Sequence, residues 1–358
     1  MNFDLTEEQL MLQETVGQYL TNELPAPHLR EIFDGPTGHD PALWKGMVEM
    51  GLAGLAIDEE YGGAGLEILD LAVVAEILGY HAVPGPFLGH ALAGIAIGRA
   101  GSAAQREQWL PKLASGEVTA TVAFAEQGHG WQPDQWSLAP GAELNGAKQL
   151  VPFAELADLI VVGLAGGKLG LVERGASGVA TQVVDGADLT RRLHDVTFSE
   201  TPCTLLEGDA AAARCVRDVG LVLAAADAFG GGQRCVEMSV EYAKTREQFG
   251  VVIGHFQALK HQLANMALAM EPCRGLYWYA AHAIDHAPEQ AERIAAIAKA
   301  HITDRFMQVA RDAVEAFGGI GFTWECDVQI WFKRAMFDRA FLGNPAFHRE
   351  RSVALADW

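Results

Sequence analysis

Apolar residues recur at helical spacing up to about residue 115. From 116 to about 206 they fall in short runs, and from Ala210 the helical period returns. Thr6 followed by Gln9 predicts a capping-box helix start, with Leu10, Val16 and Leu20 on its stripe. Further helices are predicted over Pro41–Met50, Leu69–Gly79 and Ala91–Ala100, with a glycine-rich turn region at Gly51–Gly65. Val118–Ala125, Leu159–Leu164, Leu169–Val172 and Val179–Val184 read as strands, with turns at Pro140-Gly141, Asn145-Gly146 and Gly166-Gly167. Phe256, Leu259, Leu263, Met266 and Met270 form an amphipathic stripe that Pro272 interrupts. A second stripe runs Ile294, Ile297, Ile302, Phe306, Val309, Ala313. Stretches near 217–246, 256–286, 289–316 and 327–341 suggest an antiparallel four-helix bundle. The predicted organisation is helical over 1–115, β over 116–208 and bundle over 209–358: an α+β chain, mainly α.

Half of the 358 residues are apolar and 20% are charged, enough for a large core and too few charges for disorder. The net charge of −20 excludes nucleic acid and anionic membrane surfaces as partners, and any anionic ligand needs a local basic cluster. Cys203, Cys215, Cys235, Cys273 and Cys326 contain no C-x-x-C pair, so neither a metal site nor a redox dithiol is expected. Reduced thiols, an acidic start without an apolar leader and no long apolar run predict a cytoplasmic protein without a membrane span.

Two segments carry candidate chemistry. In Arg246-Glu-Gln-Phe-Gly-Val-Val-Ile-Gly-His-Phe-Gln257 an arginine leaves one helix and two glycines turn the backbone before the next. That pattern suits phosphate, and equally suits a surface arginine in a glycine-rich turn. In Glu315-Ala-Phe-Gly-Gly-Ile-Gly321 three glycines would let a planar ligand reach the backbone, or would form a helix C-cap and tight turn. It is not a dinucleotide fingerprint, since it follows a helix and lacks G-x-G-x-x-G.

Taken in order, Gly51–Gly65, Ala123-Phe-Ala-Glu126, Leu144-Asn-Gly-Ala-Lys148, Arg246–Gln257 and Gly318-Gly-Ile-Gly321 resemble the acyl-CoA dehydrogenase superfamily over nearly the whole chain. Gly318–Glu325 with Lys333-Arg334-Ala335 resembles its bacterial branch of heteromeric steroid side-chain dehydrogenases. The resemblance implies that fold, FAD as cofactor, a dimer or tetramer, homo- or heteromeric, an acyl-CoA substrate and an electron-transfer flavoprotein as acceptor. By position it implies that Arg246, Gln248, Phe249 and Gln257 reach the FAD of an adjacent subunit, with Arg246 neutralising the pyrophosphate. It places Glu315, Gly318 and Gly319 along the adenosine end. Phe124, Ala125 and Glu126 stand where the family covers the flavin ring.

Several positions depart from the family pattern. Glu315 replaces a glutamine, and Ala125 and Pro152 replace residues that hydrogen-bond the flavin. Glu126-Gln-Gly-His-Gly-Trp131 replaces the usual acidic-glycine-serine loop. Leu342 and Gly220 occupy the two common places of the glutamate that removes the α-proton of the acyl thioester. Asp227, two turns after Gly220 in apolar surroundings, is then the remaining candidate base, with an expected raised pKa. Local capping or pairing, with Arg234 or a neighbouring helix, is the other reading. Three functions stay open: an active dehydrogenase forming a 2,3-enoyl-CoA, a non-catalytic subunit completing a partner's FAD site, and a flavin oxidase or monooxygenase on the same fold. His348, Arg349 and Arg351 form a basic cluster that suits a CoA phosphate or a solvated helix end.

Overall fold

The structure is a computed structural model that describes residues 4–128 and 130–356. Helices α1 (Glu7–Glu23), α2 (Ala26–Asp34), α3 (Pro41–Glu49), α4 (Ile68–Tyr80), α5 (Phe87–Ala100) and α6 (Ala103–Ala114) come first. Strands β1 (Ala120–Ala123), β2 (Glu143–Pro152), β3 (Leu159–Leu164), β4 (Lys168–Glu173), β5 (Val179–Val184), β6 (Leu193–Pro202) and β7 (Thr204–Leu205) follow. Then come α7 (Ala210–Thr245), a hairpin of β8 (Glu247–Gln248) and β9 (Val251–Val252), and α8 (Gln257–Met270), α9 (Cys273–His286), α10 (Pro288–Ala316), α11 (Val328–Ala340) and α12 (Pro345–Ala354).

Thr6 and Gln9 form the expected capping box. The same signature, Ser102 with Gln105, starts α6, a helix the apolar spacing alone does not reveal. The strands form two sheets, ordered β1-β3-β4-β7 and β2-β6-β5. β3 is buried along its whole length, which is why it reads as one apolar run. One face packs between the sheets with Val196 and Phe198, and the other joins the helical core.

One expected turn is absent, and one strand was not expected. Asn145-Gly146 is not a turn. It lies inside β2, where pairing with β6 slips between Leu144 and Gly146 and Gly146 absorbs a φ of +151°. Partner β6 went unrecognised because His194, a polar residue by type, takes a buried place in its alternation with Val196 and Phe198.

In the bundle, Pro272 ends the 256–286 stretch as two helices. Helices α7 and α10 run parallel, as their paired ends require. Arg217 reaches Glu292 near both starts, and Tyr242 stacks on Phe317 at both ends, 4.4 Å apart and 15° from parallel. α4 crosses α7 with backbones nearly touching, and a Cβ at Gly79 or Gly230 would strike the opposite main chain. No described helix is long and apolar enough to cross a membrane.

Inside the β module, Glu126 is buried and paired with buried Lys148, and it accepts from Ser137 N at 2.8 Å and Leu138 N at 3.1 Å. Burial raises its pKa, but the Lys148 and Ser137 hydrogen bonds outweigh that and hold it at about 2. Glu126→Gln strands the ammonium of Lys148 in the core. The expected loss is about 3 kcal/mol of unfolding free energy, read by urea denaturation.

Candidate functional site

The Arg246 segment is a short arm at the end of α7. Its hairpin turns through Phe249 and Gly250, both at positive φ (+56° and +79°), a two-residue turn of the kind that matches strand twist. Phe249 tolerates that backbone while 92% exposed. Arg246 makes no ion pair among the described residues. Gln248 and Gln257 are exposed beside it.

The Gly318 corner follows α10. The Tyr242–Phe317 stack puts arm and corner at the same end of the bundle. Gly318 needs its φ of +67°, and Gly321 is packed against Val314. Gly319 has ordinary φ and open space around a would-be Cβ, so nothing in this chain's own packing demands a glycine there. Glu315 is exposed and accepts a 3.4 Å bond from Gln262. Ile320, Phe322 and Trp324 are exposed apolar neighbours. An unpaired guanidinium, a bare aromatic and a glycine corner with free space fit a nucleotide pyrophosphate carried by another chain.

The flavin-ring position fits poorly. Phe124 is buried and stacked on Trp136 at 5.0 Å, and Ala125 is buried in a bridge to Gln149. Glu126 is spent on Lys148. In the replaced loop, whose His129 lies outside the described residues, Trp131 packs edge-on against Phe341 at 5.1 Å. That indole walls both a cavity of about 460 Å³ and one of about 320 Å³, standing between them with Ala340. Pro152 offers no donor, and its carbonyl is taken by Thr121 at 2.6 Å.

The two vacated base positions meet. Leu342 is fully buried, at a φ of +60° unusual for leucine. A Cβ placed on Gly220 would strike its Cδ1, and Leu92 presses from the other side. Residues 122 apart in sequence therefore share one apolar contact. The loop is pinned around it. Lys299 donates to the carbonyls of Asp338, Arg339 and Gly343, while Gln132 and His348 reach the Leu342 carbonyl at 3.3 and 3.0 Å.

The expectation of a raised pKa is corrected at Asp227. It is buried and meets Arg334 Nε at 2.8 Å, Arg334 Nη2 at 2.9 Å and Arg191 Nη2 at 2.8 Å. Its partners are Arg334 of α11 and Arg191 of the β module rather than Arg234. Burial pushes its carboxyl up, but Arg334 and then Arg191 outweigh that, and its pKa is lowered. Neighbouring Asp338 moves the other way. Burial and then the Asp227 charge raise its pKa. Both arginines also donate to Val83 O, at 2.9 and 3.2 Å. This cluster therefore joins all three parts of the chain.

The C-terminal basic cluster is engaged internally. Arg351 pairs with Glu292 and Asp218, Arg349 with Asp304, and His348 is buried. Arg217 and Arg351 border a cavity of about 780 Å³ whose inner wall includes Gln132, itself bonded to the Leu342 loop.

The comparisons with known proteins agree on one family. Residues 6–117 match the model of the acyl-CoA dehydrogenase N-terminal domain, and residues 218–354 that of the C-terminal domain. The chain is 34% identical over 342 residues to acyl-CoA dehydrogenase IpdE2 of Mycolicibacterium smegmatis, covering 95% of this chain and 96% of that one. It is 32% identical to its counterpart in Mycobacterium tuberculosis, covering 95% and 94%. Among solved structures it superposes on the Tcur3481-Tcur3483 steroid ACAD G363A variant with a TM-score of 0.90, at 29% identity, covering 98% and 97%. The ChsE4-ChsE5 complex from Mycobacterium tuberculosis gives 0.90 at 25% identity, covering each chain fully.

Two stability measurements test the site. Gly220→Ala should cost about 1–3 kcal/mol by overpacking against Leu342, and most of that cost should vanish in a Leu342→Ala background. Asp227→Asn should cost about 3–5 kcal/mol near neutrality, because two buried guanidinium groups lose their counter-charge. Asp227 has a folded pKa below its ordinary 3.8. Its contribution is therefore complete above that value and is lost as pH falls below it. The gap between wild type and variant should be flat from about pH 5 to 8 and shrink on acidification; a gap that widened in acid would contradict the pairing.

Proposed function

The chain belongs to the acyl-CoA dehydrogenase family, whose members are flavoprotein oxidoreductases, and we propose that it is the non-catalytic subunit of a heteromeric enzyme of that family. The observation that carries this reading is the contact of Leu342 with Gly220. Both places from which a glutamate could reach the substrate α-carbon are filled by groups that cannot take a proton. The remaining candidate, Asp227, is neutralised by two arginines. Trp131, packed against Phe341, stands between two cavities, and Leu342 fills the space beside Gly220.

The arm keeps its purpose. Arg246, Gln248, Phe249 and Gln257 extend from the bundle toward a sister subunit of the same fold, with Glu315, Gly318 and Gly319 at its side. FAD bound in the sister supplies the acceptor for the hydride that leaves the β-carbon of the acyl-CoA. Arg246 balances pyrophosphate charge on a molecule that is otherwise strongly acidic, and Phe249 excludes water from the joint. The sister contributes the base. The names of the similar proteins favour a bulky, steroid-derived acyl-CoA as substrate of the assembly. An electron-transfer flavoprotein as acceptor, and a cytoplasmic site, complete the proposal.

Co-expression with a homologue carrying glutamate at the Leu342 position tests this. The chain alone should be colourless and inert toward acyl-CoA, and the mixture yellow and active. Arg246→Ala in this chain should lower flavin retention by the mixture on the order of 10-fold, the value of one charge-assisted hydrogen bond. Turnover by the isolated chain supplied with FAD would refute the proposal.

A further inference from the structure

Arm and corner form one surface only while the ends of two different helices hold their distance. Tyr242 and Phe317 span that gap. Arg246 N donates to Tyr242 O at 2.8 Å, so the Tyr242 ring stands on the turn from which the arm leaves. Phe317 caps α10 and directly precedes Gly318, whose φ of +67° turns the corner. The two rings are half-buried, 4.4 Å apart and 15° from parallel. The Tyr242 hydroxyl makes no hydrogen bond among the described residues, so the ring is what joins the helices. A second link, from Gln262 Nε2 to Asp312 O and Glu315 Oε2, is long, at 3.4 Å each. The return of the arm is pressed onto the last turn of α7, where a Cβ at Gly254 would stand 2.8 Å from Ala243 O.

Such a tie has mechanical weight. Helices α7 and α10 are joined near their starts by Arg217 and Glu292, and α10 runs on for 29 residues. A tilt of about 2° over that length shifts its end by roughly 1–2 Å, more than a bound group's contacts tolerate. Helix ends also fray unless something holds them. We propose that Tyr242 and Phe317 are positioning residues: their stack fixes the spacing of Arg246 and Gly318, so that both meet one flavin nucleotide held by the sister subunit. Neither ring touches the nucleotide; each acts through the residue its backbone carries. This role presupposes the reading above, in which the arm serves a sister subunit.

The test uses this chain co-expressed with the glutamate-bearing homologue and reads FAD retention by the mixture, as flavin fluorescence released on dilution. Tyr242→Leu and Phe317→Leu keep an apolar contact and end the stack. Each should weaken retention about 5-fold, the worth of one aromatic pair. Tyr242→Phe keeps the ring and should stay within about 2-fold of wild type. In an Arg246→Ala background the Tyr242→Leu loss should shrink below about 2-fold, because the ring acts through that guanidinium. A Tyr242→Phe loss as large as that of Tyr242→Leu, or an undiminished loss in the Arg246→Ala background, overturns the positioning role. Should one leucine variant misfold, the other, on a different helix, decides. Full retention in Arg246→Ala overturns the subunit reading itself. Reduced retention there, with wild-type retention in the leucine variants, overturns the positioning role alone.

Discussion

The bidentate pairing of Arg334 with Asp227, extended by Arg191, is the contact on which the arrangement of the three parts turns. Arg334 comes from the last long helix, Asp227 from the first bundle helix, Arg191 from the β module, and both arginines end on the Val83 carbonyl of the N-terminal part. Burying these charges is costly, and Arg191 meets Asp227, and both guanidinium groups meet the Val83 carbonyl, only when all three parts are docked. The cluster thus makes interdomain geometry an all-or-none property. Asp338 shows how tightly the site is balanced, since burial and the Asp227 charge raise its pKa while that of Asp227 is lowered.

That docking also sets the contact beneath the loop that follows α11. It brings α11 and its following loop over α7, so that Leu342 falls on Gly220. A family that needs a carboxylate at this point has here an apolar plug, locked by Lys299, Gln132 and His348. The same loop region sets Phe341 against Trp131, which stands between two cavities. At the far end of the bundle, by contrast, the arm and the glycine corner keep an unpaired cation, a bare phenylalanine and a glycine with room around it. The apolar contact is thus buried at one end of the bundle, and the arm and corner are exposed at the other.

The outer architecture was legible along the chain. The return of the 3.6 period after a β stretch, the Thr6 capping box and the uniformly apolar β3 all depend on neighbours a few residues away, and such signals survive in one dimension. Arg246, Phe249 and Gly318 could be singled out only through the family resemblance, because a cation at a helix end and glycines in a turn also suit a plain surface turn. Leu342 and Gly220 could each be read as unable to act as a base.

What the chain by itself could not say was who meets whom. Asp227 reads as a lone acid among alanines, and only tertiary docking supplies the two arginines, 36 residues upstream and 107 downstream, that reverse the direction of its pKa. Leu342 and Gly220 become a plug only when α11 and α7 cross, and Tyr242 meets Phe317 only because α7 and α10 run parallel. Periodicity records which face of an element is buried. It carries no information on the partner that buries it, and the charge state of a buried carboxylate is set entirely by that partner.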